Sequence, residues 1–319
     1  MSQHPPWSYS QSRAQTFDEC LRKYYYHYYA SHSGWKKDAT DAQRTAYRLK
    51  QMTNLYLVFG EAVHQMCESV IRQYLKGHEA PRIEYVQHVI RQLLRKAYEE
   101  SHQIERWIAS PKHNTMLSEL YYDGEIPPER RDSIRTRLAA CTQNFFQSKT
   151  WQDMTHQPRS KVREIEKWDT FQLHETNVYV KMDMLYTIGE DQWIIVDWKT
   201  GNEDQFDDQL LLYAMYVHET YEVPLSQIRC RVEYLSSGTS RELQPSADQL
   251  TRLSAKIEHD LQEMKTCLMD PALNIPRPIT FFTPSPRPGR CKGCHFREIC
   301  EAHSLPPSSS HTQPLGESI

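Results

Sequence analysis

Ile194-Ile195-Val196 is a run built for the interior of a sheet, and it ends on Asp197-Trp198-Lys199. A strand that drives two opposite charges out of an apolar run constrains the fold of this chain more than any other stretch. Side chains alternate along a strand, so Asp197 and Lys199 leave it on one face while Trp198 turns to the other. The preceding segment, Asn177 to Ile188, has the same two-residue period and joins it through the tight turn Gly189-Glu190-Asp191. A hairpin centred on Glu190-Asp191 sets Asp183 beside Trp198, next to Asp197. Two carboxylates and one ammonium then meet at one point of the sheet. They are either a surface ion pair that ends a strand or a site for a hard divalent cation such as Mg²⁺, which takes carboxylate oxygens at about 2.1 Å and keeps several waters. In the second case the cation polarises a phosphodiester and acidifies a water, and Lys199 steadies that water or the developing charge. The apolar strand is then a rigid mount for the charged tip.

The rest of the chain supplies the surroundings of such a strand. Helical spacing predicts a helix in SQSRAQTFDECLRKYYYHYYA, with a possible capping box of Ser12 and Gln15, and another from about Leu55 to Leu75. The same period recurs over 83–107 and 129–149, broken at GHEAPR and YDGEIPPE. From Lys161 the period becomes two, in KVREIEKWDTFQL, NVYVKMDMLYTI and QWIIVDWK. A helix at about Phe206 to Thr220, a strand IRCRVEYL and a helix at about 247–268 follow. The expected organisation is an N-terminal helical part of the core (1–64), a helical insertion (65–158), a catalytic core (159–270), a cysteine cluster (271–303) and a disordered tail (304–319).

Composition narrows the class. With 39% hydrophobic residues a sizeable core is available, and a net charge of −3 provides no global pull toward nucleic acid. The longest apolar run, Leu210 to Val217, is far shorter than the roughly 20 residues of a membrane span. The N-terminus MSQHPPWSYS lacks the pattern of a secretory signal. The expectation is a cytoplasmic protein that does not engage a membrane.

Two further pairs share a face of a helix: Gly60 with His64, and Gln209 with Tyr213. In order, Gly60-x-x-x-His64, Asp183, Asp197-Trp198-Lys199-Thr200-Gly201 and Gln209-x-x-x-Tyr213 resemble the PD-(D/E)XK nuclease superfamily. The resembling branch is RecB-like, with the AddB nuclease domain and the CRISPR-associated adaptation exonucleases. The resemblance covers roughly 1–75 and 160–303. It implies an α/β, restriction-endonuclease-like mixed sheet flanked by helices, with a helical insertion and a C-terminal iron–sulfur clasp. It also implies a Mg²⁺- or Mn²⁺-dependent deoxyribonuclease, exonucleolytic like its end-processing relatives, acting in repair, recombination or CRISPR-type processing.

By that pattern His64, Asp183 and Asp197 bind the metal, and Asp183, Asp197 and Lys199 form the catalytic core. Gln209 and Tyr213 support the site and its DNA. The chain departs from the family at Val180, where a glycine is usual, and at Trp198, where tyrosine or phenylalanine is more familiar. Glu164 and Glu166 lie on a strand where similar proteins often carry a glutamate. A solvated strand face accounts for them equally well, and both stay outside the expected site.

Cys291, Cys294 and Cys300 supply three thiolates, one short of a tetrahedral set. His303 would complete a local Cys₃His zinc site, and Cys20 would complete a Cys₄ set suited to an iron–sulfur cluster. The resemblance favours Cys20 and a 4Fe–4S cluster, because similar proteins hold one with one N-terminal and three C-terminal cysteines. Aromatics interleaved with bases in LRKYYYHYYASHSGWKK suit single-stranded or frayed DNA ends, or else the packing of a helix on the sheet. Arg287, Arg290, Lys292 and Arg297 form a local basic stretch around the cysteines. The resemblance adds a helicase or CRISPR-adaptation partner. The competing readings are a non-catalytic DNA-binding subunit of a helicase–nuclease complex and a zinc-knuckle interaction protein.

Overall fold

A computed structural model of the protein describes residues 4–156, 160–201 and 207–303; the expected tail at 304–319 lies outside the described residues. The chain opens with a short strand β1 (Ser8–Tyr9) and helix α1 (Gln11–Glu19). Ser10, not Ser12, caps α1, accepting from the Arg13 N–H. The expected single helix is broken at Cys20, whose backbone is extended (φ −170°, ψ 119°), before α2 (Leu21–Tyr25) and a π-helical turn, Tyr26–Ala30. Helices α3 (Asp41–Lys50) and α4 (Leu55–Leu75) follow, the first closed by a Thr40–Gln43 capping box and the second by Asn54. The predicted helical stretch resolves into α5 (Ile83–Ser101), α6 (Ile104–Ala109), α7 (Ser118–Asp123), α8 (Pro128–Gln147) and α9 (Lys149–His156).

The sheet is mixed and six-stranded. Strands β2 (Ser160–Leu173), β3 (Thr176–Ile188) and β4 (Gln192–Lys199) form an antiparallel meander. Helix α10 (Asp207–Tyr221) crosses to β5 (Ile228–Tyr234), parallel to β4, and β6 (Thr239–Leu243) closes the edge against β5. β1 pairs in parallel with the start of β3. Helix α11 (Ala247–Thr266), the small ribbon of β7 (Leu268–Asp270) and β8 (Ile275–Pro276), and the short α12 (Pro288–Lys292) complete the described chain. Among the described residues no helix is long and apolar enough to cross a membrane.

Each face of the sheet has its own core. Val178, Val180, Met182, Ile195, Cys230 and Val232 pack with α10, α11 and the tyrosines of the N-terminal helices. Met184, Tyr186, Ile194, Val196 and Trp198 pack with α4, α5, α8 and α9. Helices α5, α8 and α9, with the end of α4, therefore supply much of one covering layer, which explains their apolar stripes. In a regular strand Met182 and Met184 would share a face. Here they belong to opposite cores, so β3 changes phase at Asp183. On β2 Ile165 packs in one core and Phe171 in the other, a change of phase that brackets Glu166.

Candidate active site

The site forms where β3 and β4 part. Their ladder ends at Met184–Val196, one residue out of the register that the centred hairpin predicts because the loop has three residues, and the next rung, unpaired, sets Asp183 against Asp197. Asp183 does not continue the ladder. Its Oδ2 accepts the Trp198 N–H at 2.6 Å, and Tyr213 from α10 donates its hydroxyl to the Lys181 carbonyl at 2.7 Å. Side chains thus satisfy backbone groups at the fork, which keeps the opening between strands from costing unpaired peptide groups.

Across β3, Glu166 occupies the rung facing Asp183, between the Ile165–Met184 and Lys167–Met182 pairs. Its φ of 49° is left-handed, uncommon for a residue with a Cβ and worth roughly 1 kcal/mol or more of strain. That twist turns its carboxylate to His64, which α4 brings over the sheet. His64 Nδ1 lies 3.2 Å from Glu166 Oε1 and 3.2 Å from Asp183 Oδ1. Ligand atoms of His64, Glu166 and Asp183 all fall within 4.8 Å of one another. Glu166, set aside as a solvated strand residue, is thus part of the cluster. The strand pattern alone carries no sign of its backbone twist.

Asp197 lies beside this trio. Its Oδ2 is 2.7 Å from Lys199 Nζ, yet it is buried without an aligned hydrogen bond. Lys199 donates to Gln209 Oε1 at 3.1 Å, and Gln209 donates in turn to the Tyr213 hydroxyl at 2.6 Å. The expected support residues therefore form one chain from the lysine of β4 to the backbone of β3. Gly60 on α4 faces the end of β4, where an added Cβ would stand 3.4 Å from Thr200 Oγ1, an ordinary contact.

Three carboxylates, Glu166, Asp183 and Asp197, face two lysines, Lys181 and Lys199, and the histidine. Burial, together with the neighbouring Asp183, pushes Asp197 up to about 6 against the opposing pull of Lys199. Burial alone would lower His64, but Asp183 and Glu166 outweigh it and hold the imidazole well above its ordinary value. Burial, then Asp197 and Asp183, raise Tyr213 and keep it a phenol donor. Protons drawn onto Asp197 and His64 are positive charge that a bound cation would replace, and Asp197 Oδ2, ion-paired with Lys199 but without an aligned hydrogen bond, has lone pairs left for it. A divalent cation fits this donor set.

Trp198 is fully buried, packed against Phe145 and edge-on to the His64 ring at 6.4 Å. Its indole N–H donates to Glu233 Oε2 at 2.9 Å, while Glu233 Oε1 takes the Thr150 N–H at the start of α9, also at 2.9 Å. Glu233→Ala strands both buried donors and is expected to cost about 2–4 kcal/mol in denaturant unfolding, with Glu233→Gln recovering part of it because one acceptor remains.

Cys20, Cys291, Cys294 and Cys300 line one cavity. The helix break turns Cys20 toward it, where its Sγ accepts the Ser285 N–H at 3.5 Å. Three bonds stitch the two ends of the chain together there: Arg22 Nε to the Phe282 carbonyl at 2.8 Å, the Tyr26 hydroxyl to the Ile299 carbonyl at 2.7 Å, and an Arg22–Glu301 ion pair. The other cysteines are buried in apolar surroundings, which push Cys141 and Cys230 up to about 12 and Cys267 to about 11. The side chain of His303 lies outside the described residues. Of the aromatic helix, Tyr24, Tyr26 and Tyr29 are core residues, and Arg297 is engaged by Asp123 at 2.9 Å and by the Tyr122 ring.

Residues 8–301 match the family model of the PD-(D/E)XK nuclease superfamily, a span that also takes in the helical stretch the motifs leave out. No curated protein matches the chain. A solved structure described as "Crystal structure of SSO0001" is 12% identical, over 75% of this chain and 95% of that one, with a TM-score of 0.29, too low to support a comparison of folds.

Proposed function

We propose that this chain, which belongs to the PD-(D/E)XK nuclease superfamily, is a Mg²⁺- or Mn²⁺-dependent deoxyribonuclease that removes nucleotides from DNA ends. The observation that carries this reading is the convergence of His64, Glu166 and Asp183 within 4.8 Å, beside the buried Asp197–Lys199 pair. His64, Glu166, Asp183 and Asp197 would hold the cation, which when bound polarises the phosphodiester and lowers the pKa of a water. Lys199 Nζ, located by Asp197 and by the Gln209 carbonyl, is positioned to donate to the attacking water or to a phosphate oxygen as negative charge builds. Gln209 and Tyr213 keep that ammonium from swinging away by tying it to β3. The end-directed reading rests on the likeness of the motif order to relatives that process ends.

We read the four-cysteine cavity as the seat of a 4Fe–4S cluster that acts as a staple. Among the described residues no three of these cysteines bring ligand atoms within 4.8 Å of one another. Thiolates on a single Zn²⁺ at about 2.3 Å would stand only about 3.8 Å apart. The reading is supported by the four cysteines lining one cavity, with Cys20 brought to it from the other end of the chain.

The test uses end-labelled linear and covalently closed circular single strands of one sequence, with Mn²⁺, Mg²⁺ or EDTA. Linear DNA is expected to disappear only with a divalent ion, and circles to survive. Equal loss of circles would replace the exonuclease with an endonuclease, and intact DNA in both metals would remove the nuclease reading.

A further inference from the structure

Past the carboxylates, β2 and β3 run on as a two-stranded ribbon. Counting outward from the unpaired rung of Glu166 and Asp183, its cross-strand pairs on this face are Trp168 with Lys181, then Thr170 with Tyr179. One side of this ribbon is buried: Phe171, Val178 and Val180 belong to the core beneath α10. The other side continues the face that α4, α5, α8 and α9 cover farther along, but here it is open. Trp168 is 68% exposed and Tyr179 44% exposed.

Single exposed aromatics are ordinary on a protein surface. These two stand on adjacent rungs of one face, and the cation opposite Trp168, Lys181, reaches from that rung to the cluster. Lys181 Nζ sits 5.9 Å from the centre of the Trp168 ring and 2.6 Å from Glu166 Oε2, so the aromatic step and the ligand cluster share one side chain. Successive rungs on a face are about 6.8 Å apart, a step an extended polynucleotide can follow.

We propose that this open face of the β2–β3 ribbon is the track that leads a single DNA strand to the cluster. Trp168 and Tyr179 are stacking platforms for unpaired bases, and Lys181 is the phosphate contact at the threshold. The inference rests on the nuclease reading above and adds the strand preference to it. Stacking needs an open base face, which pairing in a duplex hides, so the track selects single strands and frayed ends.

Binding is measured in EDTA, where cleavage is absent, with a fluorescent single-stranded oligonucleotide and its blunt duplex. Trp168→Ala is expected to weaken single-strand binding about tenfold, Trp168→Phe to restore most of it, and duplex binding to change little. In turnover with Mn²⁺ the loss falls on KM. Tyr85→Ala, an equally exposed aromatic on α5 far from the ribbon in sequence, serves as the control for general surface effects. Single-strand binding by both Trp168→Ala and Tyr179→Ala within twofold of the parent overturns the track, as does an equal loss on duplex. If the parent still degrades linear DNA in that case, the nuclease reading stands without the track. A parent that neither binds nor degrades DNA overturns both.

Discussion

Lys199→Ala protein still binds a DNA end but cleaves it about a hundred- to a thousandfold more slowly than the parent. The size follows from what the ammonium does. A preorganised donor aimed at developing charge is worth about that factor when removed. Lys199 is preorganised in a definite sense, with Asp197 at 2.7 Å on one side and the Gln209 carbonyl at 3.1 Å on the other. Losing it also leaves Asp197 buried without its cation, so the variant must be shown to be folded, by an unfolding midpoint and by retained DNA binding. Lys199→Arg is expected to rescue poorly, because a planar guanidinium cannot present a point charge between the same two partners. A noncatalytic DNA-binding subunit would lose nothing measurable on either substitution. Cleavage by Lys199→Ala at the parental rate would move the chemistry away from this site.

The strand meander and the charged tip were legible because alternation is a local property. Ile194 to Lys199 and Asn177 to Ile188 carry their period on the surface of the sequence, and a short turn leaves little freedom in how they meet. The register still came out one residue from the observed one, since the connection is a three-residue loop, Gly189 to Asp191 with Gly189 at φ 66°, and not a two-residue turn centred on Glu190-Asp191. Glu166 was illegible for a stronger reason. Its role depends on a left-handed backbone and a change of phase shared with Asp183 across the ladder, and neither has a compositional signature. Cys20 shows the same limit in a helix. Apolar spacing runs straight through it, yet the chain breaks there, and only the cavity lined by Cys291, Cys294 and Cys300 explains why. The helices between residues 65 and 158 were visible as helices, whereas the sheet face they cover is a long-range fact.

Replacing Cys20 with serine is expected to bleach the anaerobically purified protein and to cost about 4–5 kcal/mol in denaturant unfolding. The magnitude is that of a crosslink closing a very long loop, which loop-closure models put near this value because the cost grows only slowly with length. Cys20 is the single member of the set from the N-terminal side of the chain, so its loss frees both ends while leaving the three C-terminal thiols together. The native fold survives the loss, since the Arg22 bond to Phe282 and the Tyr26 bond to Ile299 still join those ends. Cys230→Ala is the internal comparison: it removes one buried sulfur from the core and costs roughly 1 kcal/mol, with the colour unchanged. Iron content, visible absorption and unfolding midpoint must therefore fall together in Cys20→Ser, whereas Cys230→Ala lowers the midpoint slightly and leaves iron and absorption at the parental level. A parent that is colourless and carries zinc would replace the cluster by a local Cys₃His site. In that protein Cys20→Ser would be nearly silent, because the zinc would no longer bridge the two ends of the chain.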